Sequence, residues 1–222
     1  KVIRLRNKPG RVEAIVEAAS ALCLPNALLG FKESLSLRGR LAFAEGTTHA
    51  KLTAPLARLL SVWASIRVPR PVSEELRVAI RCAIKHLSTA GPRVINPEST
   101  EPPLLVFVDG ACEQTTSIGG VLLDPRGRNE YFGATVSQKT VDSWKSKLNQ
   151  AQVIGQAELS PLIVARLTWA DRLSGRRVIF FLDNESARLC AIKAYSPVLP
   201  SLLIVTQCVG FDYLHGVLPW YA

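Results

Sequence analysis

An acidic residue at the end of an apolar run is the feature that most constrains how this chain can fold. Residues 104–108 form the run LLVFV, which leads directly into Asp109 and Gly110. A second apolar run, residues 118–123, follows after a short polar loop. Turn residues bound both runs, so they predict two paired strands. Because a carboxylate within a buried strand is costly unless a cation meets it, Asp109 requires a cationic partner.

Two further carboxylates occupy similar positions. Glu158 falls on the edge of the apolar stripe of a predicted helix over residues 156–173. It lies in the first turn, where Pro161 is tolerated because first-turn amides have no intrahelical partner. Asp183 directly follows the apolar run RVIFFL, at a strand-to-helix turn.

Strand ends and adjacent helix starts converge at the edge of an open sheet. We therefore expect Asp109, Glu158 and Asp183 to lie within about 10 Å of one another, close enough to share two metal ions about 4 Å apart. Three gathered carboxylates repel each other unless cations bind between them. Their hard oxygen atoms suit Mg²⁺ or Mn²⁺.

Each of these acids has a simpler interpretation when it is taken alone. Asp183 could cap the helix that follows it. Asp109 with Gly110 could form a turn, and Glu158 could be a solvated acid at a helix start. The order strand-Asp, helix-Glu, strand-Asp favours a common site over three separate coincidences.

The surrounding pattern predicts an α/β fold for residues 104–222. Strands are predicted over residues 104–108, 118–123 and 130–136, which make a three-strand meander. A helix over 156–173, a strand over 177–182, helices over 184–195 and 199–209, and a short strand within 213–220 follow. Residues 139–151 are polar and give no clear prediction. A meander followed by helix–strand–helix is typical of a layered sheet with helices on its faces.

The first part of the chain has a different character. Residues 1–100 carry 16 Lys and Arg against 7 Asp and Glu, a net charge of +9, whereas residues 101–222 carry 11 of each. Apolar spacing predicts helices over residues 11–24, 34–44, 52–66 and 73–88, with Thr53 and Ser73 as N-caps. We interpret residues 1–92 as an all-helical basic segment and residues 93–103, rich in Pro and polar residues, as a linker. The excess charge suits a polyanion such as nucleic acid, although Arg-rich helices can also simply be soluble.

Composition excludes some classes of protein. No run of about 18 uncharged apolar residues is present, so we expect no membrane span. The five cysteines are odd in number and scattered, which predicts reduced packing residues of an intracellular protein, nuclear or cytoplasmic. The sequence contains no methionine, so we expect it to be a piece of a longer chain.

The motifs VFVDGA, IGGVLLD, QAEL and FFLDNESA resemble those of the ribonuclease H domain of reverse transcriptases. Upstream, SLRGRLAFAEGTTHAKLTAPLARLLS is similar to the helical, thumb- or connection-like segment after the polymerase palm in retroelement polyproteins, particularly those with tyrosine recombinases. The resemblance implies a ribonuclease H-like mixed sheet over residues 104–222. It also implies two-metal hydrolysis of the RNA strand of RNA–DNA hybrids, with an upstream polymerase domain as partner.

In that resemblance the catalytic and metal-binding residues are Asp109, Glu158 and Asp183, and the cofactors are two Mg²⁺ or Mn²⁺ ions. Asp109 would bridge both ions, and the other two acids would each complete one coordination shell. Phosphates would be held without sequence reading by basic residues of the helical segment, namely Arg38, Arg40, Lys51, Arg58 and Arg67. Gln156 and Asn184 could orient substrate or water, or could be polar neighbours of a capped helix.

Two departures from the family pattern lower the expected activity. The family usually has a fourth acid after a strand like VLPWYA, whereas this sequence ends at Ala222, so we interpret the domain as C-terminally truncated. Asp212 is the one late acid, but it precedes that strand. No paired Asp-Asp of a polymerase occurs. We therefore expect a weakly active or inactive ribonuclease H-type fragment, with a non-catalytic nucleic-acid-binding or connection module as the alternative.

Overall fold

The computed structural model describes residues 2–48, 51–95, 101–148 and 153–222. The chain divides into two compact units, Lys1–Ser99 and Thr100–Ala222. Residues 96–100, which belong to the predicted linker, lie outside the described ranges. Residues 93–95, also predicted as linker, form a strand instead.

Helices dominate the described part of the first unit. They are α1 (Arg11–Ala21), α2 (Phe31–Glu45), α3 (Ala54–Ala64) and α4 (Glu74–Thr89). Their apolar faces pack into one buried cluster, as the spacing of apolar residues predicts; it includes Ile15, Leu37, Leu41, Leu56, Leu60, Leu76, Ile80 and Leu87.

The prediction that this unit is all helical is wrong. Two short antiparallel strand pairs connect the helices. β1 (Ile3–Leu5) pairs with β4 (Arg93–Ile95), and β2 (Leu28–Leu29) pairs with β3 (Arg70–Pro71). The extended conformation of residues 2–5 is expected from the sequence VIRL, but the paired strands are distant in sequence, so their pairing depends on the helix packing that brings them together.

The two predicted N-caps have different outcomes. Ser73 caps α4, because its hydroxyl accepts a hydrogen bond from the Leu76 amide at 3.3 Å. Thr53 precedes α3 but does not cap it. Its hydroxyl donates to Glu45 Oε1 at 2.8 Å and its amide donates to the same oxygen at 2.7 Å. The tertiary contact with the end of α2 replaces the local cap.

A five-stranded mixed sheet forms the centre of the second unit. The strands are β5 (Leu104–Cys112), β6 (Thr116–Leu123), β7 (Glu130–Thr135), β8 (Arg177–Phe181) and β9 (Leu218–Tyr221), in the order β7-β6-β5-β8-β9. β5, β6 and β7 form an antiparallel meander, whereas β8 is parallel to β5 and β9 is parallel to β8. The predicted α/β architecture is confirmed: a mixed sheet built from a three-strand meander, followed by helix–strand–helix.

Five helices accompany this sheet in the described residues. They are α5 (Gln138–Leu148), α6 (Ile154–Thr168), α7 (Ala170–Leu173), α8 (Glu185–Lys193) and α9 (Leu199–His215). α5 has no counterpart in the sequence prediction; within residues 138–146, whose side chains the structure describes, only Val141 and Trp144 are buried. α9 runs on to His215 and ends at Gly216, which has a positive φ of 64°. Because the helix continues, the last strand begins at Leu218, later than predicted.

A buried ion pair holds α6 against the rest of the second unit. Arg166 is fully buried and donates from Nε to Asp212 Oδ1 at 2.8 Å and from Nη2 to Asp212 Oδ2 at 2.9 Å. The same guanidinium donates to the Tyr221 hydroxyl at 2.9 Å and lies 4.2 Å from the centroid of the Phe180 ring. One side chain of α6 therefore contacts α9, β9 and β8.

All five cysteines are free. In the part of the chain that the structure describes, no helix combines the length and the apolar character needed to span a membrane.

Removing one member of the buried pair should be costly. Asp212→Ala leaves the Arg166 charge buried without its partner, and we expect a loss of about 3–5 kcal/mol in the free energy of unfolding. The double variant Arg166→Met/Asp212→Leu should recover most of this loss, because apolar residues of similar volume need no compensating charge. Urea unfolding followed by far-UV circular dichroism measures both values.

The matched control is Glu101→Ala, which removes a more exposed ion pair of the same unit, Glu101 with Arg176 at 3.0 Å. We expect it to cost less than about 1 kcal/mol. Equal losses for the exposed and the buried pair would contradict the role given to Arg166.

Candidate active site

The parallel pairing of β5 with β8 brings two acidic residues side by side. Phe107 lies opposite Phe181 in this register, and their rings stack with centroids 4.4 Å apart. Asp109 and Asp183 each follow two residues further along their own segments. Since side chains alternate along a strand, Asp109 falls on the same face of the sheet as Phe107. Both aspartates are exposed.

Glu158 reaches this edge of the sheet from α6. The helix begins at Ile154, so Glu158 lies in its second turn and the prediction of the first turn is wrong. The prediction that Pro161 lies in the first turn is wrong for the same reason, because Pro161 lies inside the helix. A cap residue with a hydrogen-bonding side chain would have marked the true start, but Val153 occupies that position.

The three carboxylates converge as predicted. Ligand oxygens of Asp109, Glu158 and Asp183 all lie within 4.8 Å of one another. This separation is well inside the limit of about 10 Å that a site shared by two ions requires. Glu158 is half-buried, and the two aspartates open to solvent.

Electrostatics at the site act most clearly on Glu158. Burial raises the pKa of its carboxyl above the ordinary value of 4.5, and the charges of Asp183 and Asp109 raise it further. Hydrogen bonds from the Asn184 side chain and from the Gly110 amide lower the pKa and offset part of this effect. The Gly110 amide also lies 2.8 Å from Asp109 Oδ1.

The structure shows which of Asp183 and Asn184 caps the helix that follows them. Asn184, not Asp183, is the N-cap of α8: its side-chain oxygen accepts from the Ala187 amide at 3.0 Å. Because the adjacent asparagine satisfies the helix end, the Asp183 carboxylate is left for the cluster. The amide side of Asn184 donates to Glu158, so this residue links the cap to the site.

Gln156 lies outside the carboxylate cluster. It is buried, and its Nε2 donates to Ser201 Oγ at 2.7 Å, a contact between α6 and α9. This geometry gives no support to a role for Gln156 in binding substrate.

The predicted phosphate-binding residues all lie in the first unit and are exposed. They are Arg38 and Arg40 on α2, Lys51 before α3, Arg58 on α3, and Arg67 after α3. The Arg67 guanidinium lies 5.8 Å from the centroid of the Phe31 ring.

The first unit contains a groove of about 600 Å³ that was not predicted from the sequence. Lys8, Arg11 and Arg40 line it together with Phe43, and the Arg11 guanidinium lies 4.3 Å from the centroid of the exposed Phe43 ring. The signal in the sequence was the turn Lys8-Pro9-Gly10, which brings two basic residues to the start of α1.

The donor atoms present fit divalent cations. Three carboxylates offer six hard oxygens within a small region, the chemistry that Mg²⁺ and Mn²⁺ prefer. Burial and, after it, the charges of Asp183 and Asp109 raise the pKa of Glu158, and bound cations would offset the contribution of these charges.

No protein-family model matches the sequence, and no curated protein matches it. Among solved structures, RNase H1 from the halophilic archaeon Halobacterium salinarum NRC-1 is similar at 19% identity, with a TM-score of 0.40 over 54% of this chain and 83% of its own. Two structures of a foamy viral protease-reverse transcriptase with double-stranded DNA are similar at 14% identity and a TM-score of 0.36. Each alignment covers 94% of this chain but only 34% and 40%, respectively, of the two viral chains. Similarity at this level does not establish a family for the chain.

Removing one negative charge from the cluster should stabilise the metal-free protein. Asp183→Asn leaves the Asn184 cap intact and relieves repulsion of Glu158. At pH 7 we expect a higher melting temperature, by about 2–4 °C for each kcal/mol relieved in a chain of this size. Because the pKa of Glu158 is raised in the folded state, its ionisation costs stability as pH rises above 4.5, and below this pH the cost disappears.

The gain should therefore shrink at pH 4, and Mg²⁺ at pH 7 should narrow it by stabilising the parent chain. Asp142→Asn, which removes an exposed charge on α5, is the control and should change the melting temperature little. A gain that is the same at pH 4 and pH 7 would show that repulsion at Glu158 is not its cause.

Proposed function

We propose that this chain hydrolyses the RNA strand of RNA–DNA hybrids with the aid of two divalent metal ions, as part of a retroelement reverse transcriptase. The convergence of Asp109, Glu158 and Asp183 on one edge of a mixed sheet supports the proposal more than any other observation. The order of these acids along strand, helix and strand supports it further. An intracellular location fits the five free cysteines.

Asp109, Glu158 and Asp183 would hold the metal ions. Two bound cations would lower the pKa of the attacking water and stabilise the leaving 3′ oxygen of the cleaved strand. The residues around the acids keep them in place. The Gly110 amide and the Asn184 side chain donate to Glu158, and both donors belong to the backbone segments that carry the aspartates.

Nucleic acid would bind through the first unit. Its net charge of +9 contrasts with the neutral second unit, and its basic side chains are exposed on α2 and α3; at the groove, Lys8 and Arg40 are exposed and Arg11 is half-buried. Arginine and lysine at such positions hold phosphates without reading sequence. An exposed ring such as Phe43 offers a surface on which a sugar or base can pack. In the reverse transcriptase context, the partner is a polymerase domain upstream in the same polyprotein.

Catalysis is tested with a hybrid labelled on its RNA strand. We expect cleavage that depends on Mg²⁺ or Mn²⁺ and leaves 3′-hydroxyl ends. Asp109→Asn should lower the rate by about 10²-fold or more, because it removes a ligand whose effect is greatest in the transition state. Asp142→Asn is the matched control and should leave the rate unchanged. Gel analysis of the labelled products gives both rates.

Cleavage that persists in a chelator or in Asp109→Asn would place the active site elsewhere. Hybrid binding without any metal-dependent cleavage would favour the second candidate, a nucleic-acid-binding or connection module, for which the basic first unit alone is sufficient.

The location of nucleic-acid binding is tested by its salt dependence. Each phosphate contact that is lost should lower the slope of log affinity against log salt by about 0.7–0.9. The triple variant Arg38→Gln/Arg40→Gln/Arg58→Gln should therefore flatten the slope by about 2–3. Fluorescence anisotropy with a labelled hybrid measures it. The control, Arg126→Gln/Arg128→Gln in the second unit, removes exposed charges and should leave the slope unchanged. The reverse result would assign binding to the second unit.

A further inference from the structure

The contact between β5 and α6 lies directly beside two of the three acids. Gly110 follows Asp109, and the peptide between Ala157 and Glu158 lies against it. A Cβ atom on Gly110 would come 2.1 Å from the Ala157 carbonyl oxygen and 2.9 Å from the Glu158 amide nitrogen. These are backbone atoms, so a side chain at position 110 could be accommodated only if α6 moved. The distance between the Asp109 and Glu158 carboxylates therefore depends on how the Ala157 carbonyl is held.

Pro161 acts on that carbonyl. It lies inside α6, four residues after Ala157, where a regular helix would place an amide that donates to the Ala157 oxygen. Proline has no amide hydrogen, and its ring crowds the carbonyl of the residue four positions earlier. The Ala157 carbonyl thus has no amide partner within the helix, and the proline ring disfavours its regular position.

Ser160 supplies the missing partner. Its buried hydroxyl donates to the Ala157 oxygen at 3.2 Å, which prevents an unsatisfied carbonyl in the interior. A proline inside a helix costs about 3 kcal/mol relative to alanine. This chain has one at the turn of α6 that follows Glu158, with a serine beside it that compensates.

We infer that Pro161 and Ser160 are positioning residues for the metal site: they hold the Ala157 carbonyl out of the helix and over Gly110, and so set the separation of the Asp109 and Glu158 carboxylates. The inference rests on the proposed function, since the separation has a role only if these acids hold metal ions. Neither residue touches the ions or the substrate.

A purely structural role and a positioning role predict different Mn²⁺ affinities for Pro161→Ala. If the proline only shapes the helix, Mn²⁺ binding does not change; if it positions the site, Mn²⁺ binding weakens. The new amide can donate to the Ala157 oxygen, so the helix becomes regular and more stable. The same hydrogen bond draws the carbonyl back toward the helix axis and shifts Glu158. A positioning residue therefore gives a variant that melts at a higher temperature and binds metal more weakly.

The experiment measures two quantities on the full chain, the melting temperature and the affinity for Mn²⁺ by electron paramagnetic resonance. We expect Pro161→Ala to raise the melting temperature and to weaken Mn²⁺ binding about 10-fold, as changes to residues that orient metal ligands do. Pro55→Ala is the matched control. Pro55 lies in the first turn of α3, where no amide partner is needed, so neither quantity should change appreciably.

A double-mutant cycle tests the part played by Ser160. Ser160→Ala should lower the melting temperature when residue 161 is proline, because the Ala157 carbonyl loses its donor. In the Pro161→Ala background the new amide satisfies that carbonyl, and the same substitution should have little effect. Ser160→Ala should also weaken Mn²⁺ binding in the parent chain. Ser160→Thr keeps the hydroxyl, so its Mn²⁺ affinity should equal that of the parent chain.

Three results would overturn the inference. A Pro161→Ala variant with unchanged Mn²⁺ affinity would show that the carbonyl does not set the site. An equal loss of melting temperature on Ser160→Ala in the proline and the alanine background would show that the Ala157 carbonyl does not depend on this hydroxyl. Mn²⁺ binding that Asp109→Asn does not weaken, or no binding by the parent chain, would overturn the proposed metal site as well. The first two results leave the proposed function standing, so the two failures are distinguishable.

Discussion

The buried Arg166 guanidinium is the interaction on which the arrangement of the second unit depends. It joins α6 to Asp212 on α9, to Tyr221 on β9 and to the ring of Phe180 on β8. A buried charge tolerates little displacement of its partners, because every lost hydrogen bond leaves a desolvated group. α6 is thereby fixed at its carboxyl-terminal half, and Glu158 in its amino-terminal half is held at a defined place over the sheet.

Stability and the proposed chemistry oppose each other at the edge of the sheet. Burial and the neighbouring charges of Asp183 and Asp109 raise the pKa of Glu158, and Pro161 interrupts the hydrogen bonding of α6 one turn away. Both features cost folding free energy in the metal-free chain. They are compensated by the Arg166 pair, by the Asn184 cap and by the hydroxyl of Ser160. Unfavourable features, such as clustered like charges and a proline within a helix, occur at the candidate site, whereas the residues around it are well paired.

The two units divide the proposed work. The helical unit carries the excess of positive charge, and the sheet unit carries the carboxylates and is neutral as a whole. This division has a physical advantage. Phosphate-binding cations placed among the three acids would neutralise the charge that attracts divalent metal ions, whereas cations on a separate unit hold the nucleic acid without that competition.

The sequence by itself determined most strands and helices of the second unit, the order of the three acids and the segregation of charge, because alternation, turn residues and composition are local properties. Only the tertiary structure decided that Asn184 rather than Asp183 caps α8, that Gln156 is buried against α9, and that Pro161 lies inside a helix. The helix α5 and the pairing of the short strands were not predicted either. The contact of Gln156 with Ser201 and the strand pairs involve partners distant in the sequence, and such contacts leave no periodic signal in either segment.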